Sequence, residues 1–205
     1  MNWNNSQALR GSARTMLWWF VVAGIGLLAA DAPAAAVTWC VATNGDDTAA
    51  HSGTSWDQAY ATISNAVAKA ASSGDTVWVS NGVYTVTAEI AITKSLLVRS
   101  WHNGNYDRTN TIINGNWPTT TNRCFRLWDF GAFIAGFTIT NGCYINESGG
   151  GIKIYKGTVS NCVIAGNQCF YTNSGPYVGG GGIYVSSEGV CWARIYDSDI
   201  YGNIA

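Results

Sequence analysis

Charge is what this sequence has least of. Asp, Glu, Lys and Arg together make up 11% of its 205 residues, and the formal net charge is −1. No stretch gathers lysine and arginine into a basic face, so the counterion release that drives binding to polyanions has no source, and a nucleic-acid partner is excluded. Histidine is limited to His51 and His102, and the six cysteines show no paired Cys-x-x-Cys spacing. No zinc site is implied, and no metal or cofactor is called for. An apolar run long enough to span a bilayer is also missing. The uncharged apolar run Met16 to Ala30 falls short of the roughly 20 residues a span needs.

That short run has another use. Arg10 and Arg14 precede it, and Asp31, Pro33 and the small residues Ala34, Ala35 and Ala36 follow. A positive leader, a short apolar core and an Ala-x-Ala cut site form a secretory signal. Residues 1–36 are therefore expected to be a signal peptide, leaving a mature chain with no transmembrane span, located outside the cytoplasm, secreted or at the cell surface or outer membrane. Cleavage leaves nine basic and eleven acidic residues. All six cysteines, Cys40, Cys124, Cys143, Cys162, Cys169 and Cys191, lie in the mature part. Export permits up to three disulfides, with a connectivity that the sequence does not fix.

Helical periodicity is nearly absent from the mature chain. It occurs once, from Trp56 to Ala71, where Ala59, Ile63, Ala66, Val67 and Ala70 recur on one face and Thr62 or Ser55 is placed to cap. The expected organisation is a strand, loop and capping helix over 37–75, then strands over 76–205. Runs such as Thr76–Val79, Leu96–Arg99, Thr111–Ile113 and Phe137–Thr140 are rich in β-branched and aromatic residues and end at Asn, Gly and Ser.

An internal repeat closes the chain. Gly149-Gly150-Gly151-Ile152 is echoed by Gly180-Gly181-Gly182-Ile183, and each is followed by an alternating strand that ends in Gly-Asn, at Asn167 and at Asn203. Phe133 to Asn141 reads as an earlier copy. Variable loops between constant strand-turn units are the mark of a solenoid. The predicted fold is all-β: a right-handed parallel β-helix with an N-terminal capping α-helix, in which Ile152 stacks on Ile183 and Asn141, Asn167 and Asn203 form an amide ladder. Because the pattern stops directly after Asn203 with no cap, the sequence is expected to be truncated at its C-terminus.

The segments Cys40–Asp47, Gly53–Trp56, Thr62-Ile63, Gly74–Val79 and Gly82–Tyr84 resemble the start of secreted bacterial right-handed β-helix proteins, the pectate-lyase-like superfamily. The Gly-Gly-Gly-Ile and Asn-Cys-Val-Ile-x-Gly-Asn units resemble the repeats of chlamydial polymorphic outer-membrane proteins. The resemblance implies fold and export but little chemistry, since one scaffold hosts lyases, hydrolases, adhesins and anchors.

Candidate site residues are few. Asp197 and Asp199 flank Ser198, so in a continuous strand both would face one side and could share a cation or a substrate. Calcium enters only under a lyase reading. Trp101, Tyr106, Trp117 and Trp128 fall in or beside loops and are candidates for stacking on sugars, whereas Trp56 and Trp78 sit in apolar patterns and read as core. Asn146-Glu147-Ser148 fits a glycosylation acceptor. The reading that follows is a non-catalytic, adhesin-like surface protein or stalk whose partner is a carbohydrate or a host- or cell-surface ligand. The alternative is a polysaccharide lyase or glycoside hydrolase whose catalytic residues are not recognisable here.

Overall fold

The computed structural model describes residues 35–71, 74–172, 179–186, 188 and 190–205. All but the last two residues of the expected secretory signal lie outside them. Among the described residues no helix is long and apolar enough to cross a membrane.

The chain is strand-dominated with one α-helix, and its strands pair in parallel. The first sheet runs β1 (Thr38–Val41), β2 (Thr76–Val79), β5 (Leu97–Ser100), β7 (Phe125–Ala135), β10 (Ile152–Ser160) and β13 (Ile183–Val185), with β4 (Ile90–Ile92) beside β7 and β14 (Trp192–Tyr196) beside β10. The second runs β3 (Gly82–Thr85), β6 (Thr111–Asn114), β8 (Thr138–Thr140), β11 (Val163–Ala165) and β15 (Asp199–Tyr201). A third pairs β9 (Cys143–Ile145) with β12 (Gln168–Phe170). The chain visits the three in constant order: β7, β8, β9, then β10, β11, β12, then β13 and β14, β15 and a bridge from Ile204 to Gln168.

Alternation decides what each strand buries. Val77, Val98, Ile134 and Val159 pair in register and are fully buried. Ile113, Ile139 and Ile164 do the same in the second sheet. Each such side chain contributes about 1.5–3 kcal/mol by leaving water. Ile152 pairs with Ile183, the stacking read from the repeat. The same columns end in Ile195 and Ile200, which are exposed.

The helix is shorter than its periodicity suggests. Trp56–Gln58 forms only a 3-10 helix, and the α-helix α1 runs Ile63–Lys69. Between them Ala59 and Tyr60 are extended: Tyr60 donates its N–H to the Cys40 carbonyl and its carbonyl accepts from Ala42. Pairing with β1 thus overrides a local helical preference. Thr62, not Ser55, caps α1 through Asn65 N–H. Asp47 holds the cap in turn, accepting from the Ala61 and Thr62 amides and the Thr62 hydroxyl. Ile63, Ala66 and Val67 then join the core cluster of Val41, Val77 and Ile90.

The Asn ladder has two rungs. Asn167 donates from Nδ2 to Asn203 Oδ1 at 3.0 Å, accepts from Gly142 N–H at 2.9 Å and is wholly buried. Asn141 is not part of it. The register of β8 on β11 sets Ile139 beside Ile164, so Asn141 falls level with Gly166, and Gly142 takes the ladder position. The order Asn-Gly at 141–142 is reversed to Gly-Asn at 166–167 and 202–203, and in each pair the first residue has positive φ. Asn tolerates that conformation and Gly adopts it freely, so either order makes the bend but only one supplies the ladder amide.

The Gly-Gly-Gly repeats exist for room. A Cβ on Gly150 would lie 1.9 Å from the Gln168 carbonyl oxygen, and one on Gly181 would lie 1.9 Å from that of Ile204. Each glycine run passes against the bend that follows it, and no side chain fits between.

Candidate functional site

Residues that alternate with the core of the first sheet face outward and line up across strands. Phe125 and Leu127 are buried, so Arg126 and Trp128 point the other way. Register places Ala91, Arg126, Lys153 and Tyr184 in one column. Trp128, Lys156 and Trp192 form a second.

On this face cations rest on aromatic rings. Trp128, 42% exposed, packs on Tyr155 with centroids 3.8 Å apart and planes tilted by 36°. Lys156 Nζ stands 4.7 Å from the centre of Phe130, which is 51% exposed and meets Trp192 edge-on at 5.9 Å. Arg194 covers Trp192 at 3.7 Å. Further along the sheet, Arg99 lies 4.0 Å over Tyr106. Among the described residues Arg99, Lys156 and Arg194 form no ion pair with a carboxylate. Their charge is left available to a ligand, and the rings beneath supply apolar contact area.

One flank of the face is an ion network of three cations and two carboxylates. Arg123, 1% exposed, contacts Glu147 at 2.7 Å and Glu89 at 3.7 Å, and its guanidinium covers Tyr144 at 4.2 Å. Arg126 donates to Glu89 at 2.6 Å, and Lys153 pairs with Glu147. Burial alone would raise the Glu147 carboxyl, but hydrogen bonds from Lys153 and Arg123 outweigh it and hold it below the usual range. Lys153 responds in kind: burial opposes its charge, and the bonds to Glu147 and Tyr155 raise it above its usual value. Both carboxylates are taken up in locking β4, β7 and the β9–β10 connection together. Arg123 Nε and Asn122 Oδ1 are buried without a partner among the described residues.

The residues singled out in the sequence are scattered over different places. Trp101 stacks on Trp78 with centroids 4.0 Å apart and planes 4° from parallel, and Tyr106 carries Arg99. Trp117 packs against Phe170 at 5.8 Å, in a separate place. Trp128 lies on the cation–aromatic face. Trp56, read as core, is exposed, and Trp78 is half-buried. Asp197 occupies a bend with positive φ, outside β14 and β15, so strand alternation does not apply to it. Asp199 pairs with Arg108 at 3.0 Å. No group of three or more His, Cys, Asp or Glu side chains gathers as for a metal among the described residues. The cysteines are free thiols, five of them buried. Burial pushes Cys124 up to about 12 and Cys162 up to about 11. The Asn146 side-chain oxygen accepts from the Thr172 amide and hydroxyl.

Sequence reasoning passed over Arg123, Glu147, Lys153, Phe130, Tyr155 and Trp192. A signal for part of this set was present: cations and aromatics two residues apart within strands, as in Arg126, Trp128 and Phe130 or Trp192 and Arg194, share one face. Comparison with protein-family models, with curated proteins and with solved structures finds no match of any of the three kinds.

Proposed function

We propose that the chain is an exported, right-handed parallel β-helix with a non-catalytic, adhesin-like binding role, and that its ligand is a carbohydrate held on the outer face of the first sheet. The repeated order of three parallel sheets, with in-register columns of buried Ile and Val, supports the β-helix reading. The Arg10 to Ala36 segment supports export. One observation carries the functional part: exposed rings at Trp128 and Phe130, with Lys156 and Arg194 resting on Phe130 and Trp192 and, among the described residues, bound to no carboxylate. Ring faces pack against the C–H face of a sugar, and the ammonium and guanidinium groups donate to its oxygens.

A glycan array probed with the full chain tests this. Binding should be found, and Trp128→Ala should weaken it by roughly tenfold or more, about 1.4 kcal/mol, with an unchanged circular dichroism spectrum. No glycan bound, or equal binding by Trp128→Ala, overturns the reading. Release of unsaturated or reducing products from a polysaccharide by the purified chain would replace it with the lyase or hydrolase alternative.

A further inference from the structure

A second, smaller site lies away from that face. Trp56, Ser80, Asn81, Trp101, His102 and Asn103 line an open cleft of about 340 Å³, at the small end of ligand-sized cavities. Three chain segments build it: the 3-10 helix, the residues just after β2, and the turn after β5. Trp101 is fixed by its stack on Trp78, while Trp56 is 40% exposed.

The polar rim is fixed by a chain of hydrogen bonds. Asn81 Oδ1 accepts from the Thr111 hydroxyl at 3.2 Å and its Nδ2 donates to Asp107 Oδ2 at 2.9 Å, so its amide has one orientation. The same Nδ2 lies 3.1 Å from His102 Nδ1. An amide nitrogen only donates, so Nδ1 accepts and the proton of the neutral ring sits on Nε2. Nε2 in turn lies 3.3 Å from Asn103 Nδ2. Among the described residues no other hydrogen bond sets the Asn103 amide, so its oxygen turns to accept from this ring N–H and its own N–H groups are left to donate into the cleft. No Asp, Glu, Lys or Arg lines the cleft, and the nearby Asp107 carboxylate is already engaged by Asn81 and Asn110.

We propose that this cleft binds a neutral sugar, one ring lying on Trp56 and a hydroxyl oxygen accepting from the Asn103 amide, which His102 Nε2–H holds in place. The site is independent of the cation–aromatic face.

Titration of the full chain with cellobiose, lactose and mannobiose, followed by tryptophan fluorescence, is the test, with digalacturonate as the acidic comparison. At least one neutral disaccharide should shift or quench the emission. Trp56→Ala and His102→Phe should each weaken that binding by roughly tenfold, and Trp128→Ala should leave it unchanged. Trp56 is exposed, so its removal leaves the core intact, and a matching circular dichroism spectrum checks this. The proposal fails if no neutral disaccharide alters the emission up to its solubility, if Trp56→Ala binds as tightly as the parent, or if digalacturonate binds in preference. Loss of the signal in Trp128→Ala would also overturn it, by moving the sugar to the sheet face.

Discussion

A single carboxylate, placed just before β2, ties Val37, Trp39 and Ala71 together. Asp75, 3% exposed, accepts from the Val37 amide, the Trp39 indole and the Ala71 amide. Burial works against its charge, yet these bonds and the nearby Lys94 outweigh it and lower the carboxyl below its ordinary value. A lowered value in the folded state means the stabilisation is present above the unfolded value of about 4 and is lost as pH falls through the folded one. Asp75→Ala should cost on the order of 2 to 3 kcal/mol, because three donors in partly buried hydrogen bonds lose their acceptor. Urea unfolding at neutral pH measures this, and the gap between variant and parent should narrow in acid. Nothing in the sequence near Asp75 announces that role, since its partners lie up to 38 residues away. Trp56 was hidden for a different reason. It falls in the apolar spacing of a helix, and that spacing gives a face only if the helix forms.

At the scale of elements the strands were legible and the bends less so. Alternating β-branched residues between Asn and Gly mark a strand wherever they occur, and the observed strands follow those marks closely. The helix was legible over Ile63–Lys69 and misread before it, because the pairing of Tyr60 with β1 is a tertiary fact. The ladder was legible at Asn167 and Asn203, where the copies share the Gly-Asn order, and slipped by one residue at Asn141, where that order is reversed. The glycine runs were legible as a repeat, but their cause is a close approach that only coordinates reveal. Gly150→Ala should therefore destabilise the protein by on the order of 3 kcal/mol, as overpacking does. Thermal unfolding measures this, and Gly179→Ala, likewise outside the positive-φ region and nearest to a Tyr184 side-chain carbon at 3.2 Å, should cost less.

At the scale of the molecule, β14 and β15 carry the exposed apolar side chains that bear on behaviour in solution. Tyr196, Tyr201 and Ile204 are exposed alongside Ile195 and Ile200, and among the described residues β15 pairs with β11 alone within the sheet. An apolar strand edge with unpaired amides recruits other chains. The purified chain should self-associate with rising concentration, and Ile200→Lys should shift sedimentation toward the monomer. Unchanged sedimentation in that variant would place the contact elsewhere.

The column of Trp128, Lys156 and Trp192 has a last consequence. Its members sit on adjacent strands, so they are separated by the strand spacing of about 4.8 Å, which backbone hydrogen bonds fix whatever side chains are present. Distances along this face therefore come in whole numbers of strands, like the divisions of a ruler. Gain or loss of one strand-turn unit would move everything beyond it by a single division and leave each local contact as it was, so the reach of such a surface can be lengthened or shortened without redesigning its grip.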